Sequence, residues 1–332
     1  MTDRAPPSPG DSIHRLARAV RLGGTSGVIV LLAALAVVWA TACGDGSTAA
    51  VQTPTGAGSA LGGGYPEHRD AGSGISVILG TPDLAVGRHR VAFVLSDAEG
   101  LVRLPLVRVA SYAPGAADTP AESASAQFYE FPLGVRGIFV ATLEFDRPGE
   151  WQLDVQVPRP DGTVPTLRFP FEVAERTRAP AVGDPAPRST SRTLDDVDSI
   201  EDLSTGVDPD PAVYALSIDE ALDLGRPLVV VFASPGFCTN ALCGPQAEML
   251  TELREVYAAD ANFIHVDLFE NPQELRAGDL DVAIRTPLLA EWGLATDEWT
   301  FIVGADGRIT HRFEAFTPRA ELEPALRSVL GD

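Results

Sequence analysis

The apolar run Leu228–Ala233 leads straight into Ser234-Pro235-Gly236-Phe237-Cys238-Thr239-Asn240-Ala241-Leu242-Cys243-Gly244-Pro245, and an amphipathic run follows over residues 246–258. An unbroken apolar run of this length reads as a strand buried on both faces, and the period after it is that of a helix. The chain must therefore place Cys238 and Cys243 where a buried strand hands over to a helix. Helix starts offer unpaired N–H groups and the positive end of the dipole. A thiol held there loses its proton more readily, and the thiolate is the reactive form. The pair suggests reversible thiol–disulfide chemistry; two buried structural cysteines, or a permanent clip, is the other reading of the same residues. In one regular helix the two would stand more than ~7 Å apart, beyond the reach of a disulfide. Pro245 with Glu248 suggests a helix start after both cysteines, since Pro fits the first helical position and an acid the first turn.

Compartment follows from the N-terminus. Arg15, Arg18 and Arg21 precede an apolar run over residues 27–40, which ends in Ala40-Thr41-Ala42-Cys43. The run is short for a spanning helix, which needs ~20 residues, and suits the core of a signal peptide. If it stays in place as an anchor, the arginines still keep the remainder outside. Disulfides persist there. Beyond that region Cys238 and Cys243 are the remaining cysteines of the three. The formal charge is −21 and every basic residue is arginine. That field argues against nucleic acid and against charge-driven binding to anionic lipid.

In chain order, residues 44–74 are rich in Gly, Ser, Thr and Ala, without hydrophobic period, and read as a flexible tether. Residues 75–175 read as all-β: apolar runs at 75–79, 89–95, 101–110, 137–145, 150–157 and 167–173 alternate with turn signals. That pattern suggests an immunoglobulin-like sandwich. Residues 176–211 begin Pro-rich, turn acidic at Asp195-Asp196-Val197-Asp198, and read as a solvated linker. From residue 212 strand and helix patterns alternate: a short strand at 213–216, a helix opened by the capping pair Ser217 and Glu220, the strand–cysteine–helix unit, a strand at 263–268, a short helix at 286–292, a hairpin over 299–304 and 308–313, and a last helix to Leu330.

Resemblances extend these readings. Ala40-Thr41-Ala42-Cys43 resembles a bacterial lipobox, with Ala40 where the family usually has Leu; this implies a signal peptide over residues 1–42 and lipidation of Cys43. The segments 136–141 and 145–151 look like YtkA-type extracytoplasmic domains. Some relatives of that type are associated with copper; with His89 as its one histidine and no Met or Cys, the 75–175 segment lacks the ligands such a site needs. Residues 212–332 look like a thioredoxin-fold domain, on the strand into the cysteine segment, the stretch Thr300-Phe301-Ile302-Val303-Gly304-Ala305-Asp306-Gly307-Arg308-Ile309, and the closing helix. The expected fold class is thus an all-β immunoglobulin-like sandwich followed by an α/β thioredoxin fold.

The resemblance implies a membrane-anchored, extracytoplasmic thiol–disulfide oxidoreductase acting on envelope protein thiols and disulfides, with Cys238 as attacking and Cys243 as resolving thiol, and with no cofactor and no metal. Pro245 would fix the helix start. Trp299 stands, beside Thr300, where thioredoxins carry a cis-proline, and either covers the cysteines or belongs to the core. Cys243-Gly244-Pro245-Gln246 matches thioredoxin's Cys-Gly-Pro-Cys except at Gln246. The Cys-x4-Cys spacing also resembles Q-type peroxiredoxins, but Pro235 replaces their Thr and no arginine precedes Thr300. A peroxidase is therefore a second reading. A non-catalytic binding module, or a Sco-like copper-delivery protein using His311 or His265, is a third; His265 fits better as a satisfied structural histidine.

Overall fold

The computed structural model describes residues 64–331, except 117, 133, 135, 238–244 and 277–279. All of these belong to one compact unit that begins at Thr55. No helix among the described residues is long and apolar enough to cross a membrane. The expected signal peptide, Cys43 and most of the expected tether lie outside the described residues.

The first part of the chain folds as β1 (Glu67–Arg69), β2 (Ser76–Leu79), β3 (Gly87–Asp97), β4 (Gly100–Leu101), β5 (Leu106–Tyr112), β6 (Glu122–Glu130), β7 (Gly137–Phe145), β8 (Gly149–Gln156) and β9 (Thr166–Val173). These form one nine-stranded antiparallel sheet in the order β1-β2-β3-β7-β6-β5-β8-β9, with β4 beside β3. The strands do not split into two separate sheets, because β5 and β6 pair across Leu106–Gln127 to Ser111–Glu122. A bridge between Ala85 and Ala174 brings the far end of the path back towards the start, so the sheet nearly closes. Its interior holds Val91, Phe93, Leu95, Phe139, Ala141, Phe145, Trp151 and Phe169. Trp151 lies in this core and its indole N–H donates to the Arg147 carbonyl at 3.0 Å.

Strand β1 falls inside the stretch expected as tether. It forms because its backbone pairs with β2; composition alone, rich in Gly and Ser, gave no apolar period.

The second part carries α1 (Ile218–Asp223), β10 (Leu228–Ala233), α2 (Gln246–Tyr257), β11 (Asn262–Asp267), α3 (Pro272–Arg276), α4 (Leu288–Glu291), β12 (Trp299–Val303), β13 (Ile309–Glu314) and α5 (Arg319–Leu330). Its sheet runs β11-β10-β12-β13, with β10 and β11 parallel and the other two pairings antiparallel. Every residue of β10 is buried. Val229, Val231 and Ala233 face α2 and α5, through Met249, Leu250, Leu253, Leu322 and Leu326. Leu228, Val230 and Phe232 face α1 and α4, with Trp292, Trp299 and Phe301. Burying Leu250 or Leu253 in full contributes about 1.5–3 kcal/mol each. Residues 211–214, expected as the end of a linker and a strand, form a single 3-10 turn instead, with the Asp210 carboxylate accepting the Ala212 N–H and Pro211 opening the turn.

The two sheets share one core. Ala92 and Val94 of β3 and Ile138 and Val140 of β7 point out of the large sheet into the same cluster as Val229, Leu250, Phe316 and Leu322. Strands β3 and β7 are thus buried on both faces, which is why 91–95 and 138–141 are unbroken apolar runs. Arg90 fastens this junction. Its guanidinium donates to the Glu314 carbonyl at 2.7 Å and the Phe316 carbonyl at 2.8 Å, and pairs with Glu321 at 2.9 Å. The Phe131 and Phe316 rings meet at 4.3 Å.

Residues 176–211, expected as a solvated linker, pack against the second sheet. The backbone of residues 183–186 exchanges hydrogen bonds with Gly307 and Ile309 beside β13. Ser189, Ser191, Thr193, Leu203, Ser204 and Thr205 are buried. Small hydroxyls serve here as local partners: Ser189 Oγ accepts from the Trp292 indole at 2.9 Å, and Ser191 Oγ accepts the Ile218 N–H at the start of α1 at 3.1 Å. The composition of a spacer and that of a segment covering a sheet edge are alike; the partners, not the residue types, distinguish them.

Candidate functional site

At the end of β10, Ser234, Pro235, Gly236 and Phe237 form a turn closed by the Phe237 N–H donating to the Ser234 carbonyl at 3.2 Å. Proline is suited to the second position of such a turn. Gly236 is required by contact rather than by its own dihedrals: a Cβ there would lie 2.3 Å from the Thr205 carbonyl oxygen. The Phe237 ring meets Phe269 edge-on at 6.2 Å, and the Arg285 guanidinium lies 5.4 Å from the Phe269 ring. The next residue is Cys238. Cys238 and Cys243, and Cys43 far upstream, lie outside the described residues.

The chain is described again from Pro245, which stands at the N-cap of α2 with φ −76° and ψ 60°, one position ahead of the first helical residue. Gln246 is fully buried and its Oε1 accepts the Thr317 N–H at 2.9 Å, while its Nε2 has no partner among the described residues. Opposite, Trp299 opens β12, paired in register with Phe232 on one side and Glu314 on the other. Its ring stacks on Phe301 at 5.6 Å with 4° between planes, and the Arg312 guanidinium lies 5.0 Å from its centroid. Trp299 is therefore part of the core. Thr300 points to the other face, beside Val231, and its buried hydroxyl has no partner among the described residues. Sequence placed Pro245, Trp299 and Thr300 around one site; the sheet register and the Gln246–Thr317 bond gather the start of α2, the start of β12 and the loop after β13 at one end of the sheet.

Three titratable groups lie under the turn. His265 on β11 is buried between the Tyr214 hydroxyl, 2.5 Å from Nδ1, and the Ala233 carbonyl, 3.1 Å from Nε2. Burial lowers its pKa to about 4, so it is neutral, and both ring nitrogens are occupied. Burial raises the Tyr214 hydroxyl. Asp267, at the end of β11, is raised to about 6 by burial, opposed by the Thr205 and Phe269 donors. His311 stacks on Phe313 at 6.2 Å, and burial holds it below its ordinary value. Among the described residues no group of three or more His, Cys, Asp or Glu side chains is arranged to hold a metal ion.

Sequence reasoning gave no role to Thr205, which bonds the turn, to Asp267 behind it, or to Tyr214, which meets His265. Thr205 sat in the supposed linker. One signal was present: Ser189, Ser191 and Thr193 alternate with exposed or half-exposed residues, the period of a chain lying along a sheet.

No family model matches the chain. No curated protein matches it. Among solved structures, the soluble domain of PmoD from Methylocystis sp. ATCC 49242 (Rockwell) is similar to part of it, at 15% identity and a TM-score of 0.20, over 30% of this chain and 90% of that one.

Proposed function

We propose that the chain is an extracytoplasmic thiol–disulfide oxidoreductase, held at the membrane through Cys43, that uses Cys238 and Cys243 on protein disulfides. One observation carries the reading: the cysteine segment leaves the central strand of a β11-β10-β12-β13 sheet, parallel on one side and antiparallel on the other, and enters α2. That order and those directions support a thioredoxin-fold reading, in which the reactive thiols follow this strand in the sequence. The order β2-β3-β7-β6 followed by β5-β8-β9 supports an immunoglobulin-like reading of the large sheet in the same way.

In the reducing direction the Cys238 thiolate attacks one sulfur of the client disulfide. That S–S bond breaks, a client thiolate leaves and takes up a proton, and a mixed disulfide forms. The Cys243 thiolate then attacks Cys238 Sγ, releasing the second client thiol. Two electrons and two protons pass to the client, and the pair ends as a disulfide; the oxidising direction is the reverse.

The test is chemical. The purified protein should form an internal Cys238–Cys243 disulfide and, once reduced, reduce a model protein disulfide. Cys238→Ser should abolish both. Equal activity in that variant, or two thiols that stay unpaired under oxidising buffer, overturns the reading.

A further inference from the structure

The residues beneath the Ser234–Phe237 turn form a connected set that packing alone does not demand. The Thr205 side chain stands between a carboxylate and the turn. Its Oγ1 is 2.7 Å from Asp267 Oδ2, 2.9 Å from Ser234 Oγ, and accepts the Gly236 N–H at 3.1 Å. Asp267 Oδ2 also accepts the Thr205 N–H at 2.7 Å, and its Oδ1 accepts the Phe269 N–H at 3.2 Å.

Counting protons orients the set. An ionised carboxylate only accepts, so the single Thr205 hydroxyl proton goes to Asp267. The Thr205 lone pairs are then left to accept from Gly236 N–H and from the Ser234 hydroxyl. A hydroxyl between a buried anion and two donors is a stronger acceptor than one in water, since each bond polarises the next. Asp267 is thereby joined to the turn without touching its backbone.

The loop that carries Thr205 is itself fixed from behind. The Arg276 guanidinium of α3 donates to the Ser204 carbonyl at 2.7 Å and to the Gly206 carbonyl. The Gly206 N–H donates to Ser204 Oγ at 3.1 Å. Gly206 also lies close under Pro235: a Cβ there would stand 3.4 Å from the Pro235 Cβ. Arg192 ties the same region down from the other side, donating to the Asp202 carbonyl at 3.0 Å and the Glu270 carbonyl at 2.8 Å.

We propose that Thr205, backed by Asp267, is a positioning residue that fixes the turn from which Cys238 leaves β10, so that a segment outside the second sheet sets how readily that thiol reacts. Thr205 acts through Ser234 and Gly236, four and two residues ahead of Cys238 in the sequence. The inference rests on Cys238 being the reactive thiol of the proposed oxidoreductase.

The experiment uses the whole protein and reads Cys238 by peptide mass spectrometry during alkylation with iodoacetamide, alongside the reduction potential of the Cys238–Cys243 pair. Thr205→Val keeps the shape and removes the hydroxyl; Thr205→Ser keeps the hydroxyl. Losing the hydroxyl, with its bonds to Asp267, Ser234 and Gly236, is expected to change the alkylation rate at least about tenfold in Thr205→Val and to leave Thr205→Ser within about twofold of wild type. Should Thr205→Val not fold, Ser234→Ala removes one of those three bonds and is expected to change the rate in the same direction by a smaller factor. A folded Thr205→Val with the wild-type rate and potential, or equal losses in the Val and Ser variants, overturns the inference. A wild-type protein that alkylates at Cys238 but never forms the disulfide overturns the oxidoreductase reading instead, and the alkylation ratios still decide the role of Thr205.

Discussion

Glu314 shows most plainly how position sets chemistry in this chain. It ends β13, facing the first sheet, and its two oxygens accept the Asp83 N–H at 3.0 Å and the Thr296 hydroxyl at 2.5 Å. Burial raises its pKa to about 8 against an ordinary 4.5, with the Asp83 carboxylate adding to the rise and Arg312 opposing it. An acid whose folded pKa is raised favours the folded state below its unfolded value. That contribution is lost as pH climbs from about 4.5 to about 8. Glu314→Gln cannot ionise; its amide oxygen can still accept the Asp83 N–H, and its NH2 can donate to the Thr296 hydroxyl, which turns to accept. The variant is expected to match wild type near pH 4.5 and to exceed it near pH 8 by on the order of 3 kcal/mol in urea unfolding. An equal pH slope in the two proteins would count against the burial argument. His265 works the other way: lowered to about 4, it contributes stability above 6.5 that is lost as pH falls towards 4. Gly293 gives a steric test at the same scale. Its φ is +64°, and a Cβ would sit 2.4 Å from the Arg178 carbonyl oxygen, so Gly293→Ala is expected to cost about 2 kcal/mol or more in the same assay.

Among elements, the segment over 176–211 departs furthest from its sequence. Proline, glycine and small hydroxyl residues are what spacers are made of, and the mean polarity is that of a spacer. What decides its state is the neighbouring edge of β13, whose unpaired backbone groups find partners at residues 183–186. Two experiments follow. Ser191→Ala orphans the buried Ile218 N–H at the start of α1 and is expected to cost about 1–3 kcal/mol. A fragment beginning at residue 212, which the sequence alone marks as a complete domain, lacks the cover over β13 and the Thr205 loop; it is expected to lose the near-ultraviolet signal of Trp292 and Trp299 seen in the longer chain. A fragment with the native spectrum and stability would restore the linker reading. By contrast the helix start at Ser217 was legible, since the Ser217–Glu220 capping box is local and both of its bonds form.

At the scale of the molecule, the two sheets share one core, which predicts that they unfold as one cooperative body. The core cluster runs from Ala92 and Ile138 to Leu250 and Leu322 without interruption. The Arg90–Glu321 pair is only slightly exposed, at 11% and 18% of the two side chains, so solvent screens it weakly. Wild type is expected to unfold in urea through one transition reported identically by far-ultraviolet circular dichroism and tryptophan fluorescence. Arg90→Ala leaves the Glu314 and Phe316 carbonyls and the Glu321 carboxylate without this donor. It is expected to cost about 2–4 kcal/mol and to separate the two probes into distinct transitions. Two transitions in the wild type would mean that the sheets are independent and the junction incidental. A first sheet fastened in this way is part of the second sheet's framework.

Alternation and run length in the sequence marked most of the strands, because side chains on a strand point to opposite faces whatever surrounds them; β1 and β6 carry no such run, and 213–216 carries one without forming a strand. The sequence also determined the strand–cysteine–helix order and a helix start close to Pro245, which caps α2 rather than opening it as the sequence predicts. Tertiary structure alone decided which faces meet: that β3 and β7 are covered twice, that Trp299 stacks in the core, and that Thr205 reaches Ser234 and Asp267. Those contacts join residues tens of positions apart, and their energies depend on burial and partners that no local pattern of residue types encodes.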